Sequence, residues 1–488
     1  MNNPILIKDT IKTFLFDSLI AIENVISVTI VGSFIDKDDL SGISDIDTII
    51  ICNHLDKEIF NHCIKAIEHL NLDKCGLQNY DLKINPTFGP LKYDKPNLVV
   101  LHLMIYDTSG HKKHALFSPF TCFDWERSTH FVGQSLSRIF PVGTLQIRDF
   151  NEARRGIENY LSDLRNGSIT YREYNFENDF VEEVEKQAPI DKRHRGEFAF
   201  HIIRNLLVNY FKFINKKNCS LSKHEIIEMI KVLFESENSV RHCEKYLQIS
   251  NIKDNRESDF PHDTSNWVRK FVQQFKEVMD NDWEDAIQIN FIRHFKTNLN
   301  NDTFLGQGRD PRIDHEKVFK LDIKHPSIIY TSPMKRCLQS AKQVHQFSKI
   351  ITDDRLLEFD YGEAEGLTHD KLINNFSEIK VGWDNGEDPH FPNGENTEEV
   401  FDRLSFFMDD LSHSLTKKME KSISVFSHNG VLRCLIGNAF NINQNDWYKI
   451  IIPHGIPLEF LYNKGNFYPN IPRNILGKLL SNIGIFSQ

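Results

Sequence analysis

Short apolar runs that break off abruptly into glycine, serine, arginine or histidine are the feature that most constrains this chain. Ile26 to Val31 stops at Gly32-Ser33-Phe34, Ile287 to Ile292 stops at Arg293-His294, and Ser422 to Phe426 stops at Ser427-His428-Asn429-Gly430. Runs of this length, rich in β-branched residues, read as buried strands, and the helical spacing between them covers a sheet with helices. The chain is therefore predicted to be a multidomain α/β protein, with chemistry at strand ends.

Its 488 residues exceed one ordinary domain. Residues 1–118 mix strand-like runs (Ile26 to Val31, Asp45 to Cys52, Tyr80 to Asn85, Leu98 to Tyr106) with a helical Lys57 to Leu70, which predicts a small α/β domain. Residues 119–284 are expected to be a helical domain, with helices over Asn151 to Leu164, Phe180 to Lys186, Glu197 to Ile214, Lys223 to Phe234 and Trp267 to Met279. The polar stretch Ser250 to Ser265 is expected as a loop. Residues 285–488 return to strand runs (Ile287 to Ile292, Ser327 to Tyr330, Ser422 to Phe426, Leu458 to Tyr462) separated by helical segments, a second α/β domain.

The 68 acidic residues outnumber the 58 Lys and Arg by ten, and no basic tail or stripe is present to neutralise nucleic-acid phosphates. Nucleic acid is thus not an expected partner. A few arginines still suffice for one phosphorylated metabolite. The eight cysteines include no CxxC pair and read as buried thiols of a reducing compartment. No window offers about 20 uninterrupted apolar residues, and the first residues lack a basic segment leading into an apolar core. A cytoplasmic protein without a membrane partner is expected.

In the C-terminal third the chemistry-bearing residues come in order. Arg293-His294 follows a strand, Ser332-Pro333-Met334-Lys335-Arg336 opens a helix, Leu357-Glu358-Phe359-Asp360-Tyr361-Gly362 and Pro392-Asn393-Gly394-Glu395-Asn396 lie in loops, and His428 follows another strand. These motifs resemble the histidine phosphatase superfamily, which includes the cofactor-dependent phosphoglycerate mutases, over about residues 286–488. The resemblance implies a phosphoglycerate mutase-like sheet covered by helices. It also implies that His294 is the nucleophile that becomes phosphohistidine, with Arg293, Arg336 and His428 holding the phosphate and Glu358 protonating the leaving group. No cofactor is expected for this domain. Asn429 stands where the acid-phosphatase branch has an aspartate, which favours Glu358. Asn300 has two readings, phosphate binding or loop shaping. Phe295 departs from the family's glycine and is expected to narrow the pocket or alter substrate fit.

The chemistry agrees with these residue types. A phosphoryl group in transfer spreads negative charge over its oxygens, so its site needs an in-line nucleophile and fixed positive donors. A neutral imidazole attacks, whereas a protonated one has no lone pair to offer. A carboxylate beside bound phosphate is pushed towards its protonated form, which suits proton donation.

In the N-terminal domain, Gly32-Ser33 ends one strand and Asp45-Ile46-Asp47 begins the next. Two aspartates at i and i+2 on a strand share a face and want a cation, and Mg²⁺ with substrate phosphates would satisfy them. Gly32 and Ser33 permit close approach of donors to a nucleotide's phosphates. These residues resemble the nucleotidyltransferase fold of DNA polymerase beta and the antibiotic nucleotidyltransferases. The resemblance implies a nucleoside triphosphate as substrate, Mg²⁺ as cofactor and a third carboxylate from a later strand. Strand Leu98 to Tyr106 carries His102 at the expected position and Asp107 at its end, and Asp81 lies on the preceding run, so the third ligand has three candidates.

In the middle, Glu197 to Ile214 is apolar nearly all round and contains His201 and Arg204, as for the central helix of a bundle with Arg204 in a structural ion pair. The combined reading is a bifunctional enzyme that joins Mg²⁺-dependent nucleotidyl transfer to a small acceptor with phosphomonoester hydrolysis. Two alternatives stand beside it. The N-terminal half is a nucleotide-sensing module without transfer, or it modifies a protein or RNA end.

Overall fold

The run predicted at Ile26 to Val31 becomes an inner strand of a mixed sheet in the computed structural model of this chain, which describes residues 3–40, 43–91, 93, 95–177, 180–189, 192–255, 260–300, 302–344, 348–415 and 421–484. The chain divides into two units, Met1–Asn281 and Asp282–Phe486.

The first unit begins with α1 (Pro4–Ile20), β1 (Val25–Val31), α2 (Ser33–Asp36), β2 (Ile46–Cys52), α3 (Lys57–Glu68), β3 (Asp81–Asn85), β4 (Leu98–Asp107), α4 (Thr108–Phe117), α5 (Pro119–Glu126), β5 (Phe131–Gly133) and α6 (Leu136–Ile139). The five strands are ordered β3-β4-β2-β1-β5. β2 and β3 run parallel to β4, while β1 is antiparallel to β2 and β5. Ile7, Ile11, Leu15 and Leu19 recur every fourth residue along α1 and pack with Ile59, Cys63 and Ile67 of α3 against Val28, Ile30, Ile50 and Leu103 of the sheet. The Asp56 carboxylate caps α3 by accepting from Ile59 N at 2.8 Å.

The remainder of this unit is α7 (Ile147–Asn166), β6 (Ser168–Glu177), β7 (Phe180–Pro189), α8 (Lys192–Asn215), α9 (Lys223–Leu233), α10 (Ser236–Asp254) and α11 (Thr264–Trp283). Phe180 to Lys186, expected as a helix, is instead a strand paired antiparallel with β6. Phe180 and Val184 are four residues apart, a spacing that fits one face of a helix and one face of a strand alike, and the partner strand decides. Tyr174 and Phe176 of β6, two residues apart, place their rings on Phe60 of α3, as only a pleated strand allows. The expected loop Ser250 to Ser265 also differs, because α10 continues to Asp254 and α11 begins at Thr264; residues 256–259 lie outside the described residues. Where the sequence divides 1–118 from 119–284, contacts join them. β5 pairs with β1, and Phe88 exchanges backbone hydrogen bonds with Arg172 of β6 at 2.7 and 2.8 Å.

The second unit contains β8 (Ile287–Arg293), β9 (Ile328–Thr331), α12 (Lys335–Val344), β10 (Lys349–Thr352), α13 (His369–Asn375), α14 (Ser377–Asp384), α15 (Thr397–Leu415), β11 (Ser422–Ser427), α16 (Asn429–Ala439), β12 (Pro457–Asn463), β13 (Asn466–Pro469) and α17 (Arg473–Leu479). Its six strands are ordered β10-β9-β11-β8-β12-β13. The first four are parallel, and β12 and β13 complete the edge in antiparallel fashion. β11 is buried along its whole length and β8 nearly so, which explains their continuous apolar runs. No described helix is long and apolar enough to cross a membrane. All eight cysteines are unpaired thiols.

Candidate active sites

The register of two parallel strands builds the first site. Arg293 of β8 lies opposite Ser427 of β11, so the next residues, His294 and His428, leave the same edge of the sheet with rings 5.3 Å apart. His294 Nδ1 lies 2.7 Å from the Phe295 carbonyl oxygen. A carbonyl only accepts, so Nδ1 carries and donates the proton and Nε2 keeps its lone pair. Burial, followed by the charges of Arg293 and Arg336, holds the His294 pKa well below the usual histidine value, and the ring is neutral.

His428 has its tautomer set by other partners. Arg336 Nε donates to His428 Nδ1 at 3.2 Å, so Nε2 bears the proton and donates to Ser332 Oγ at 2.8 Å. Arg336, in the first turn of α12, is fully buried and also donates to the carbonyls of Arg309 (3.0 Å) and Gly306 (2.9 Å). Asp310 lies 3.5 Å from this guanidinium and accepts from Lys335 N at 2.7 Å. Arg293 Nη1 donates to Ile452 O at 2.7 Å, while its buried Nε has no hydrogen-bond partner. A cationic donor left unsatisfied beside two neutral imidazoles suits an incoming anion.

Glu358 reaches the N-terminus of α16. Its Oε1 accepts from Phe359 N (3.0 Å) and Gly430 N (2.9 Å), and its Oε2 accepts from Asn429 N (3.1 Å). The loop carrying Glu358 is held by Arg403 of α15, which donates to the carbonyls of Arg355 and Leu357 at 2.7 Å and of Glu358 at 3.0 Å. Glu395 pairs with Arg403 at 2.9 Å and accepts from Asp360 N at 2.9 Å. The sequence marked Glu395 within a loop motif, but Arg403 carried no signal there.

Phe295 does not narrow the pocket as expected. Its ring, 1% exposed, packs with Ile292, Ile329, Cys337 and Phe426 in the core and edge-on against Phe319. Space for it comes from Gly455, where an added Cβ would lie 2.7 Å from the ring. Asn300 spends its side-chain oxygen on the Thr297 amide (2.7 Å) and hydroxyl (3.1 Å), which is the loop-shaping reading. Sequence reasoning missed His454. Its Nδ1 donates to the His294 carbonyl at 2.8 Å, its ring lies 5.2 Å from that of His294, and burial lowers its pKa to about 3. A lone histidine in the loop before β12 offers no pattern by which to find it.

The N-terminal cluster also arises from strand register. Asp47 of β2 is the direct partner of His102 of β4, although 55 residues separate them. One ligand atom each from Asp45, Asp47 and His102 lie within 4.8 Å of one another. His102 therefore completes the group. Asp107 instead caps α4 by accepting from Gly110 N at 2.5 Å, and Asp81 is on edge strand β3 in an ion pair with Lys95. Gly32, at φ +78°, comes so close that an added Cβ would lie 2.9 Å from Asp47 Oδ2. Ser33 opens the short α2 beside it. Mg²⁺ prefers an all-oxygen shell, and this group offers two carboxylates and an imidazole, so the fit to Mg²⁺ is partial.

A cavity of about 590 Å³ opens on this cluster, with Asp47, His102, Arg172 and Arg204 in its walls. Tyr106, His114 and Trp125 stack in series along it at 5.2 and 5.1 Å. Arg204 is not in the expected ion pair: among the described residues no carboxylate is bonded to it. Among the described side chains of α8 the fully buried cation is Lys212, 2.9 Å from Asp124.

Residues 282–486 thus define a class of protein, an α/β domain that gathers histidines and arginines at the ends of parallel strands. Residues 289–468 match the family model of the histidine phosphatase superfamily (branch 1), so the C-terminal unit carries a domain of that superfamily. Residues 1–288 lie outside this match. The chain is similar to phosphoserine phosphatase 1 of Hydrogenobacter thermophilus, 26% identical over 135 residues, covering 27% of this chain and 62% of that protein. It is likewise similar to a 2,3-bisphosphoglycerate-dependent phosphoglycerate mutase of Corynebacterium kroppenstedtii, 26% identical over 164 residues, covering 28% of this chain and 66% of that protein. The chain thus spans less than two thirds of either relative. Among solved structures, the alpha-ribazole phosphatase of Shigella flexneri aligns with 19% identity and a TM-score of 0.34, covering 41% of this chain and 100% of that one.

Proposed function

We propose that the C-terminal unit hydrolyses small phosphomonoesters through a phosphohistidine on His294. The observation that carries this reading is the fixed tautomer of His294, a buried neutral ring with Nδ1–H on the Phe295 carbonyl and the Nε2 lone pair free for attack. Attack of Nε2 forms the N–P bond as the ester P–O bond breaks, and Arg293, Arg336 and His428 hold the equatorial oxygens. Glu358 acts as the acid for the leaving oxygen. The resulting carboxylate then takes a proton from the water that attacks phosphorus and frees His294. Phosphoserine and 2,3-bisphosphoglycerate, for which the relatives are named, are the first compounds to assay.

Rapid quench with a ³²P-labelled ester tests this. Wild-type protein should trap about one acid-labile phosphate per chain, and His294→Ala should trap none and lose turnover by ~10³-fold or more. Turnover retained in His294→Ala removes the assigned nucleophile.

A second reading is favoured by the Asp45, Asp47 and His102 cluster on the wall of the first unit's cavity. It is nucleotidyl transfer from a nucleoside triphosphate to a small acceptor, with Gly32 and Ser33 near the phosphates and Arg204, which has no bonded carboxylate among the described residues, as the cation for an anionic group. Asp45→Asn with Asp47→Asn should abolish cation-dependent nucleotide binding without changing phosphatase turnover. Pyrophosphate release with each of the four nucleoside triphosphates separates transfer from nucleotide sensing.

A further inference from the structure

We infer that the cation site of the first unit is built for a divalent first-row transition ion, with His102 as a nitrogen ligand, rather than for Mg²⁺. The inference rests on the reading of Asp45 and Asp47 as a cation site and adds the identity of the ion. His102 Nε2 lies 2.8 Å from the Thr87 carbonyl, an acceptor only, so Nε2 donates there. That bond turns Nδ1 towards Asp47 Oδ1 at 2.7 Å, on the face shared with Asp45, where Nδ1 donates to the carboxylate and a bound cation would take the place of that proton. A histidine that donates one ring N–H to a backbone carbonyl while presenting the other nitrogen to carboxylates is oriented as metal-ligating histidines are.

Spacing and donor type agree with this. Donors about 2.0–2.2 Å from one ion lie roughly 3 to 4.3 Å apart, so the three atoms, already within 4.8 Å, need only small side-chain adjustments. An imidazole nitrogen adds affinity for Mn²⁺, Fe²⁺ and Zn²⁺ along the transition series and little for Mg²⁺, which holds its oxygen shell tightly. The ring is locked between two strands by register and by Thr87, so it does not swing aside for a hard ion to choose oxygen alone. The cavity beside Asp47 and His102 leaves room for the remaining ligands to come from water or a bound molecule.

The test uses the full chain, stripped with chelator and titrated with Mn²⁺, Zn²⁺ and Mg²⁺ by calorimetry, with pulsed EPR of bound Mn²⁺. The wild type should bind Mn²⁺ and Zn²⁺ at least about tenfold more tightly than Mg²⁺, and the EPR should show a directly coordinated ¹⁴N. His102→Asp should lose the nitrogen signal and narrow the Mn²⁺ to Mg²⁺ ratio, and Asp45→Asn with Asp47→Asn should remove the site. The EPR needs no variant, so misfolding of His102→Asp does not decide the outcome. Bound Mn²⁺ without nitrogen coupling, or a ratio unchanged in folded His102→Asp, overturns the inference while leaving the Asp45–Asp47 cation site intact. If no ion binds at either aspartate, both this inference and the nucleotidyl-transfer reading fall.

Discussion

The imidazole at position 294 depends on its neighbours for both its protonation and its direction. The Phe295 carbonyl selects the tautomer, and burial with two nearby guanidinium groups keeps the ring neutral. Glu358 is equally specific in its contacts, because all three of its partners are backbone N–H groups. In Glu358→Gln one side-chain oxygen becomes an NH₂ that faces a donor. Turnover of esters with poor leaving groups should fall ~10²–10⁴-fold and that of activated esters far less, as a leaving-group series would record. Equal slowing of both would remove Glu358 as the acid. At the next residue pair, Gly455→Ala should destabilise the second unit by about 1–3 kcal/mol, because its Cβ would press on the Phe295 ring and its backbone sits at φ +68°. Urea unfolding would measure this, and part of the loss should be recovered by adding Phe295→Leu.

Elements place these residues through register and through one long helix. β8 and β11 are parallel neighbours, so residues 134 positions apart, His294 and His428, emerge together. β2 and β4 do the same for Asp47 and His102. α15 contributes Arg403, whose guanidinium holds three carbonyls of the loop 355–358. Arg403 acts through that loop and so is a positioning residue. Arg403→Gln should reduce kcat by ~10–10²-fold with little change in KM, since an ångström of displacement at the acid costs that much. Steeper leaving-group dependence than in wild type would identify displacement of Glu358, whereas a uniform loss matched by a fall in Tm would mean that Arg403 serves stability alone. The hairpin of β6 and β7 shows the same dependence on partners, since Phe180 to Lys186 has a helix-compatible pattern that pairing with β6 turns into a strand.

Across the whole molecule, buried neutral histidines tie stability to pH. Burial lowers the pKa of His111 to about 4 and those of His114 and His454 to about 3, and pushes His294 and His428 down as well. The unfolded chain takes up protons on these rings near pH 6.5 while the folded chain does not, so their contribution is complete above ~pH 6.5 and declines as pH falls towards 3–4. For His111 alone that amounts to about 3 kcal/mol. Urea midpoints should fall steadily from pH 7 to pH 5, and a flat profile would contradict neutral burial. The sequence by itself determined the strand runs, the order of Arg293, His294, Arg336, Glu358 and His428, and the Asp45–Asp47 pair, because hydrophobic period and short motifs are local properties of the chain. Only the tertiary structure decided that Phe295 faces the core, that His454 lies beside His294, that His102 joins the aspartates while Asp81 and Asp107 stay away, and that Arg204 lines a cavity with no carboxylate bonded to it among the described residues. Register, tautomer and burial depend on partners tens to hundreds of residues away, and no local window contains them.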